Sequence, residues 1–248
     1  MQAFIVNMEK DIKRKEYVSS VLSPYSNIKS VFIKAVDGRQ LNDSEKDLVF
    51  DSNLFRQEYN RSVLPGEIGC TLSHQNIYNE IIKHKIKSAL IFEDDIIIKD
   101  NFSELLPKIE RLLNTSVPTI ILLSGWFWFS RSRSLDKSHK LAKVVDGYLT
   151  HAYAINNTAA KLMLSKRPYL LADAWEKYRK FGIEIYGITP HLIDQDWTNL
   201  KSSISDNTRG LKSHTLLQWL KIKRRTILQK FLYCVGKFEP KSINSRCN

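Results

Sequence analysis

The stretch "ALIFEDDIIIKD", Ala89–Asp100, decides the fold. Two short apolar runs, Ala89–Phe92 and Ile96–Ile98, flank three consecutive acids, Glu93, Asp94 and Asp95. A run this short, rich in Ile and ending in charge, predicts a buried strand that stops at a surface. Adjacent carboxylates repel one another, and burying them unpaired is costly. Their charge is compensated either by water at a solvated strand end or by a bound divalent cation. Hard cations such as Mg2+ or Mn2+ prefer carboxylate oxygens, usually one or two together with substrate phosphates. Alternation along the strand sends Asp94 and Asp95 different ways, so the three acids do not all reach one ion through side chains.

Outward from this stretch, apolar runs alternate with helical patterns. "AFIV" (Ala3–Val6) leads into an amphipathic segment ending near Leu22, and "VFIKAV" (Val31–Val36) precedes Asp37-Gly38. In "GEIGCTLSHQNIYNEIIKH" the residues Ile68, Leu72, Ile77, Ile81 and Ile82 recur at helical spacing, with Pro65 before the start. A helix over Phe102–Leu113 and a strand at "TIILL" (Thr119–Leu123) follow. This order predicts an α/β fold with a parallel sheet covered by helices. Ligands in such sheets bind beyond the carboxyl ends of the strands, where Asp37-Gly38, Glu93–Asp95 and Ser124-Gly125 all fall. Gly66 and Gly69 suit a backbone bending closely around a ligand at a helix start, whose free N–H groups attract phosphate.

After Leu123 the pattern changes. "SGWFWFSRSRS" loses periodicity and is expected to be a long surface loop, with Trp126–Phe129 contacting an acceptor or plugging the core. "KLAKVV" and "YLTHAYAI" flank Asp146-Gly147, which reads as a hairpin. Asn156 or Asn157 is expected to cap a helix, and "GIEIYGIT" reads as a strand.

With 248 residues, 43% hydrophobic and 26% charged, the composition is that of a globular protein, and no apolar run approaches the roughly 20 residues of a spanning helix. Cys70, Cys234 and Cys247 are too few and scattered for a disulfide framework or a Cys-rich zinc site. The start lacks the charged-then-apolar order of a signal peptide, so a cytoplasmic location is expected. The net charge is +12, and the last 38 residues carry nine Lys and Arg against Glu239 alone. The body is therefore nearly balanced, and its aromatics do not interleave with basic residues, which disfavours a nucleic-acid-binding protein. A metal-dependent phosphodiesterase would need more His and Asp ligands at tight spacing.

The segments "IVNMEKDIKRK", "AVDG", "GEIGCTLSH", "ALIFEDD", "GYLTHAYAINNTAAKLML" and "ADAW…GITPHLIDQDWTNLKSSI" resemble, in this order, the family 25 glycosyltransferases. These include bacterial lipooligosaccharide galactosyl- and glucosyltransferases and, more distantly, collagen galactosyltransferases. The resemblance implies a GT-A-type fold with a Rossmann-like half, and inverting transfer of a hexose, most often galactose, from a UDP-sugar. The acceptor it implies is a saccharide of a lipooligosaccharide outer core. "EDD" then resembles a DXD-type motif in which Mn2+ (or Mg2+) joins aspartate to diphosphate, with Asp95 first and Asp94 second as ligands, and His191 or Gln195 completing the site. Carried over, Val6, Asn7, Met8, Arg14, Asp37, Gly38, Ser73, His74, Asp94, Thr150 and Tyr153 would bind the donor. Tyr153, on an alternating strand, also suits the core. Asp173 would be the catalytic base, although Glu176 at capping-box spacing equally makes it a helix cap.

The expected organisation is a catalytic domain over 1–210 and a basic, largely helical segment over 211–248. In "LLQWLKIKRRTILQKFLY", Leu216, Leu220, Ile227 and Phe231 share one arc of a helical wheel, widened by Leu217, Leu228 and Leu232. Lys223, Arg225 and Lys230 lie off the arc and Arg224 within it. Such a helix packs on the body or attaches peripherally to the anionic inner face of the inner membrane.

Overall fold

The structure is a computed structural model that describes residues 1–196 and 216–241. Strand β1 (Gln2–Asn7), helix α1 (Ile12–Leu22) and strand β2 (Lys29–Lys34) come first, then helices α2 (Asp43–Val49), α3 (Ser52–Tyr59) and α4 (Pro65–Lys83). Next are β3 (Ser88–Glu93), β4 (Ile96–Ile98), α5 (Phe102–Leu113), β5 (Thr119–Leu122), β6 (Phe127–Ser134) and β7 (Lys140–Gly147). The rest is β8 (Ala152–Asn156), α6 (Asn157–Met163), α7 (Trp175–Tyr178), β9 (Glu184–Thr189), β10 (Ile193–Gln195), α8 (Leu216–Cys234) and β11 (Phe238–Glu239).

Nine strands form one mixed sheet in the order β11-β6-β7-β9-β5-β8-β3-β1-β2, and β4 pairs with β10 in a small second sheet. Strands β2, β1 and β3 run parallel, joined through helices, and make the Rossmann-like edge. This is the α/β, GT-A-type architecture that the family resemblance implies, a Rossmann-like sheet flanked by helices. Antiparallel pairing of β6, β7, β8 and β11 makes the sheet mixed, where the alternation of strand and helix predicted a parallel one. Helices cover both faces, so β3 is buried on both. Leu90 and Phe92 pack with Val18 and Leu22 of α1 and Phe102, Leu105 and Ile109 of α5. Ile91 faces the other way, onto Ile77, Tyr78 and Ile81 of α4. Each such side chain contributes about 1.5–3 kcal/mol of burial.

Three expectations are corrected. Asp146-Gly147 is not a hairpin: β7 pairs with β6 and β9, whereas β8 crosses to the sheet centre between β3 and β5. "FWFSRSRS" is strand β6 rather than a loop. Phe127 and Phe129 point into the core, while Trp126 and Trp128 sit around Tyr148 at ring distances of 5.1 and 6.0 Å. The exposed Ser130–Ser134 half rests on pairing with β7 alone, which hides its strand character from a hydrophobic pattern. Gly69 serves close packing between elements: a Cβ there would lie 2.3 Å from the Val36 carbonyl oxygen and 2.8 Å from the Gly38 nitrogen. The cap at Asn156 is present, its side chain accepting from the Ala159 N–H.

At the other end, β11 pairs antiparallel with β6, and Glu239 is fully buried. Arg225 and Gln229 of α8 both donate to the buried Asp146. The domain boundary expected at Gly210, and the side chains of Leu216 and Leu217, lie outside the described residues. Among the described residues, no helix is long and apolar enough to cross a membrane.

Candidate active site

Because β1 and β3 are parallel and in register, Val6 opposite Glu93, their carboxyl ends deliver Asn7 and the acidic cluster to one edge. Helix α1 returns over that edge and supplies Arg14. Its Nε donates to Asp94 Oδ1 at 2.7 Å, and its Nη2 lies 2.8 Å from Asp95 Oδ2. Asn7 Nδ2 donates to Asp94 Oδ2 at 2.7 Å. Burial opposes the Arg14 charge, but the hydrogen bond to Asp94 and the charges of both aspartates outweigh it and raise its pKa. Glu93 is handled differently. Burial, reinforced by the Asp95 charge and only partly offset by the 2.5 Å hydrogen bond from Thr150 Oγ1, pushes its pKa up to about 8. Burial thus favours the protonated form of Glu93, while Asp94 and Asp95 share one guanidinium.

Strand β10 brings the second part of the site. Gln195 lies opposite Ile96, its Nε2 donates to Asp95 Oδ2 at 2.9 Å, and the Asp196 N–H donates to the Asp95 carbonyl at 2.8 Å. Asp95 Oδ1 and Gln195 Oε1 are both buried and have no hydrogen-bond partner among the described residues. Burial raises the Asp95 pKa against the opposing hydrogen bond from Gln195 and the charge of Arg14. Two partnerless oxygens on adjoining side chains, one of them a carboxylate, fit a hard divalent cation. Asp196 is buried at the same corner and was not foreseen; alternation along Asp194-Gln195-Asp196 from a strand end was its only signal.

His191 does not join this group, which corrects its expected place beside Asp95. Its Nδ1 lies 2.7 Å from Glu239 Oε1 and its Nε2 2.5 Å from Asp194 Oδ1. Burial works against the imidazolium, but these two carboxylates prevail and raise its pKa.

Two cavities meet at the acidic corner. The smaller, about 110 Å³, is lined by Val6, Met8, Arg14, Asp37, Gly38, Ser73, His74 and Asp94, so it gathers most of the expected donor residues. Asn7 braces Asp94 from behind, and the Ser73 hydroxyl is spent within the fold, donating to the Gly69 carbonyl and accepting from the Val36 N–H. Tyr153 is not in contact with either cavity. It is fully buried, its hydroxyl 2.8 Å from His74 Nδ1 and 2.7 Å from the Tyr78 hydroxyl, so its expected place at the donor is corrected to one behind His74.

The larger cavity, about 410 Å³, is lined by Tyr59, Arg61, Thr150, Asp173, Trp175, Gln195 and Arg225; Cys70 and Glu93 line both cavities and form the wall between them. Asp173 is no helix cap: α7 begins after Ala174, with no side-chain cap bond there. Its carboxylate accepts from the Leu149 N–H at 3.2 Å, and burial, which this bond only partly offsets, raises its pKa. Leu149 has φ of +75°, a strained conformation for a side-chain-bearing residue, and Trp175 Nε1 fixes its carbonyl at 2.9 Å. A carboxylate with raised pKa, held by strained backbone in a cleft, is suited to taking a proton.

The model of glycosyltransferase family 25 (LPS biosynthesis protein) matches residues 1–170. Procollagen galactosyltransferase 1 of Danio rerio is 28% identical over 174 residues, 67% of this chain and 29% of its own length. The inactive glycosyltransferase 25 family member 3 of Mus musculus is 28% identical over 181 residues, again 67% of this chain and 29% of its length. The chain thus spans under a third of these relatives. A solved mannose-1-phosphate geranyltransferase of Thermus thermophilus overlays 78% of the chain at a TM-score of 0.41 and 9% identity. The family match covers β1 through β8 and α6, the elements that carry Arg14, the acidic cluster and the wall between the cavities, and this chain belongs to glycosyltransferase family 25.

Proposed function

We propose that this protein is an inverting hexosyltransferase that moves galactose from UDP-galactose to a saccharide acceptor of a lipooligosaccharide outer core. The observation that carries this reading is the pair of partnerless buried oxygens, Asp95 Oδ1 and Gln195 Oε1, on adjoining side chains beside the larger cavity, which Gln195 lines. The smaller cavity takes the nucleotide: Val6 and Met8 flank the uracil, Asp37 meets the ribose, and Arg14 turns toward the diphosphate. The larger takes the acceptor, with Thr150 near the donor sugar. Mn2+ (or Mg2+), held by Asp95 and Gln195 with Asp94 behind them, supplies positive charge to the leaving diphosphate when bound. Asp173 accepts the proton of the acceptor hydroxyl as its oxygen attacks the anomeric carbon and the UDP oxygen departs with the bonding electrons.

The same reading includes attachment to an anionic membrane surface in the cytoplasm. Leu220, Ile227 and Phe231 of α8 are 43%, 64% and 60% exposed, and the exposed Lys223, Arg224 and Lys230 lie around them. Each basic residue contributes about 1 kcal/mol at such a surface. Vesicles containing anionic lipid should bind the wild type in a salt-sensitive way and release a variant carrying Ile227→Ser and Phe231→Ser; equal binding by both sinks this part.

The test of the transferase is a panel of UDP-sugars with and without Mn2+, read as UDP release and product. Turnover of UDP-galactose that EDTA abolishes is expected. Turnover indifferent to EDTA, or none with any UDP-sugar and a broad acceptor set, overturns the reading.

A further inference from the structure

A second set of donor atoms lies in the wall between the cavities, outside the oxygen-rich corner. Cys70 and His74 stand four residues apart on α4 and so share one face of the helix. Glu93 faces them from the end of β3, and one donor atom from each of the three lies within 4.8 Å of the others. His74 is 2% exposed, and its Nε2 is buried with no hydrogen-bond partner among the described residues. Its other nitrogen, Nδ1, is held 2.8 Å from the Tyr153 hydroxyl, which is itself braced by the hydroxyl of Tyr78. That is how a metal-binding imidazole is oriented: one nitrogen fixed from behind, the other without a hydrogen-bond partner among the described residues. Thr150 engages Oε1 of Glu93, leaving Oε2 for another partner.

We propose that Cys70, His74 and Glu93 form a zinc site, with three protein ligands and a fourth position open to the cavities that Cys70 and Glu93 both line. The sulfur, nitrogen and oxygen donors together select a borderline-soft ion, whereas Mn2+ and Mg2+ prefer the all-oxygen set at Asp95. Tetrahedral zinc, with Zn–S of about 2.3 Å and Zn–N of about 2.0 Å, spaces its ligands by roughly 3.5 Å, so the three side chains need to close only modestly. On binding, the Cys70 thiol and the Glu93 carboxyl, whose protonated form burial favours, each release a proton to solvent as the sulfur–zinc and oxygen–zinc bonds form, so no net charge is added. An ion here stands between the two cavities, so zinc should act separately from the ion at Asp95. The inference depends on this cluster alone and not on the identity of the donor sugar.

Co2+ titration of the reduced, metal-free full chain tests it. The expected result is a near-ultraviolet thiolate-to-cobalt band with tetrahedral visible bands that saturate at one equivalent and are displaced by Zn2+, apart from any Co2+ taken up without a thiolate band at Asp95. Cys70→Ser should lose the thiolate band with an unchanged far-ultraviolet circular dichroism spectrum, and Asp95→Ala should keep it. No thiolate band in the wild type, an equal band in Cys70→Ser, or its loss in Asp95→Ala overturns the assignment. If Cys70→Ser does not fold, His74→Gln carries the test. A Co2+ dissociation constant weakened by about ten-fold or more supports the site, and an unchanged one overturns it.

Discussion

Arg14 Nη2 lies 2.8 Å from Asp95 Oδ2, so the guanidinium of α1 holds the same carboxylate whose other oxygen, Oδ1, is buried without a partner. The side chain of Asp95 is thereby divided: one oxygen serves the fold and the other is left for a ligand. Replacing Arg14 by Ala leaves Asp94 and Asp95 buried side by side without their counter-charge, a loss of about 3 kcal/mol. A divalent cation should restore part of it. Thermal melts with and without Mn2+ are expected to show a larger stabilisation for Arg14→Ala than for the wild type. An equal or smaller shift would mean that the ion does not act on this pair.

Asp95→Ala removes the free oxygen together with the one that Arg14 uses. Mn2+-dependent stabilisation should vanish, and so should UDP-sugar turnover, while the circular dichroism spectrum stays that of the wild type because Asp95 follows β3 rather than forming part of its core. Persistent turnover would contradict the metal assignment.

Asp173→Asn keeps the shape that accepts the Leu149 N–H but removes the basicity. A fall in kcat of about 10²–10⁴ is expected, with UDP affinity and Tm nearly unchanged. Burial raises the Asp173 pKa, and only the ionised form accepts a proton. The rate should therefore climb with pH through a midpoint above the ordinary aspartate value of about 3.9. Preserved kcat with a lowered Tm would assign Asp173 to structure alone.

His191 contributes a pH-dependent stability. Its two ring nitrogens face Glu239 and Asp194, Lys99 also reaches Asp194, and Thr189 Oγ1 donates to Glu239. The folded pKa is raised above the unfolded value of about 6.5. The stabilisation is therefore fully present below pH of about 6.5 and is lost as pH rises through the folded pKa. His191→Gln should be least stable relative to the wild type at pH of about 6, with the gap in Tm narrowing toward pH of about 9. A constant gap over this range would show that the ring is held neutral.

Gly69→Ala places a methyl 2.3 Å from the Val36 carbonyl oxygen, where backbone meets backbone and neither side can yield. A cost of about 3 kcal/mol or more follows, by pushing α4 off the segment that carries Asp37 and Gly38. A variant with wild-type Tm would remove this account of the glycine.

The sequence by itself determined what is encoded by local pattern. The strand at Ala89–Phe92, the helix through Ile77 and Ile81 and the alternation of strand and helix up to Leu123 were all legible, because periodicity reports which face of an element is buried. The position of the acids at a strand end followed from the same pattern. Only the tertiary structure decided what meets those acids. Arg14 is 81 residues from Asp95 and Gln195 is 100, and they converge because parallel pairing of β1 with β3 and the β4–β10 pair bring their ends to one edge. His191 was read toward the wrong carboxylates because its partner Glu239 arrives on an edge strand 48 residues later. Strand β6 escaped detection because half of it is solvent-exposed and stands through its neighbours. Long-range pairing sets which charges become neighbours, and spacing along the chain carries no record of it.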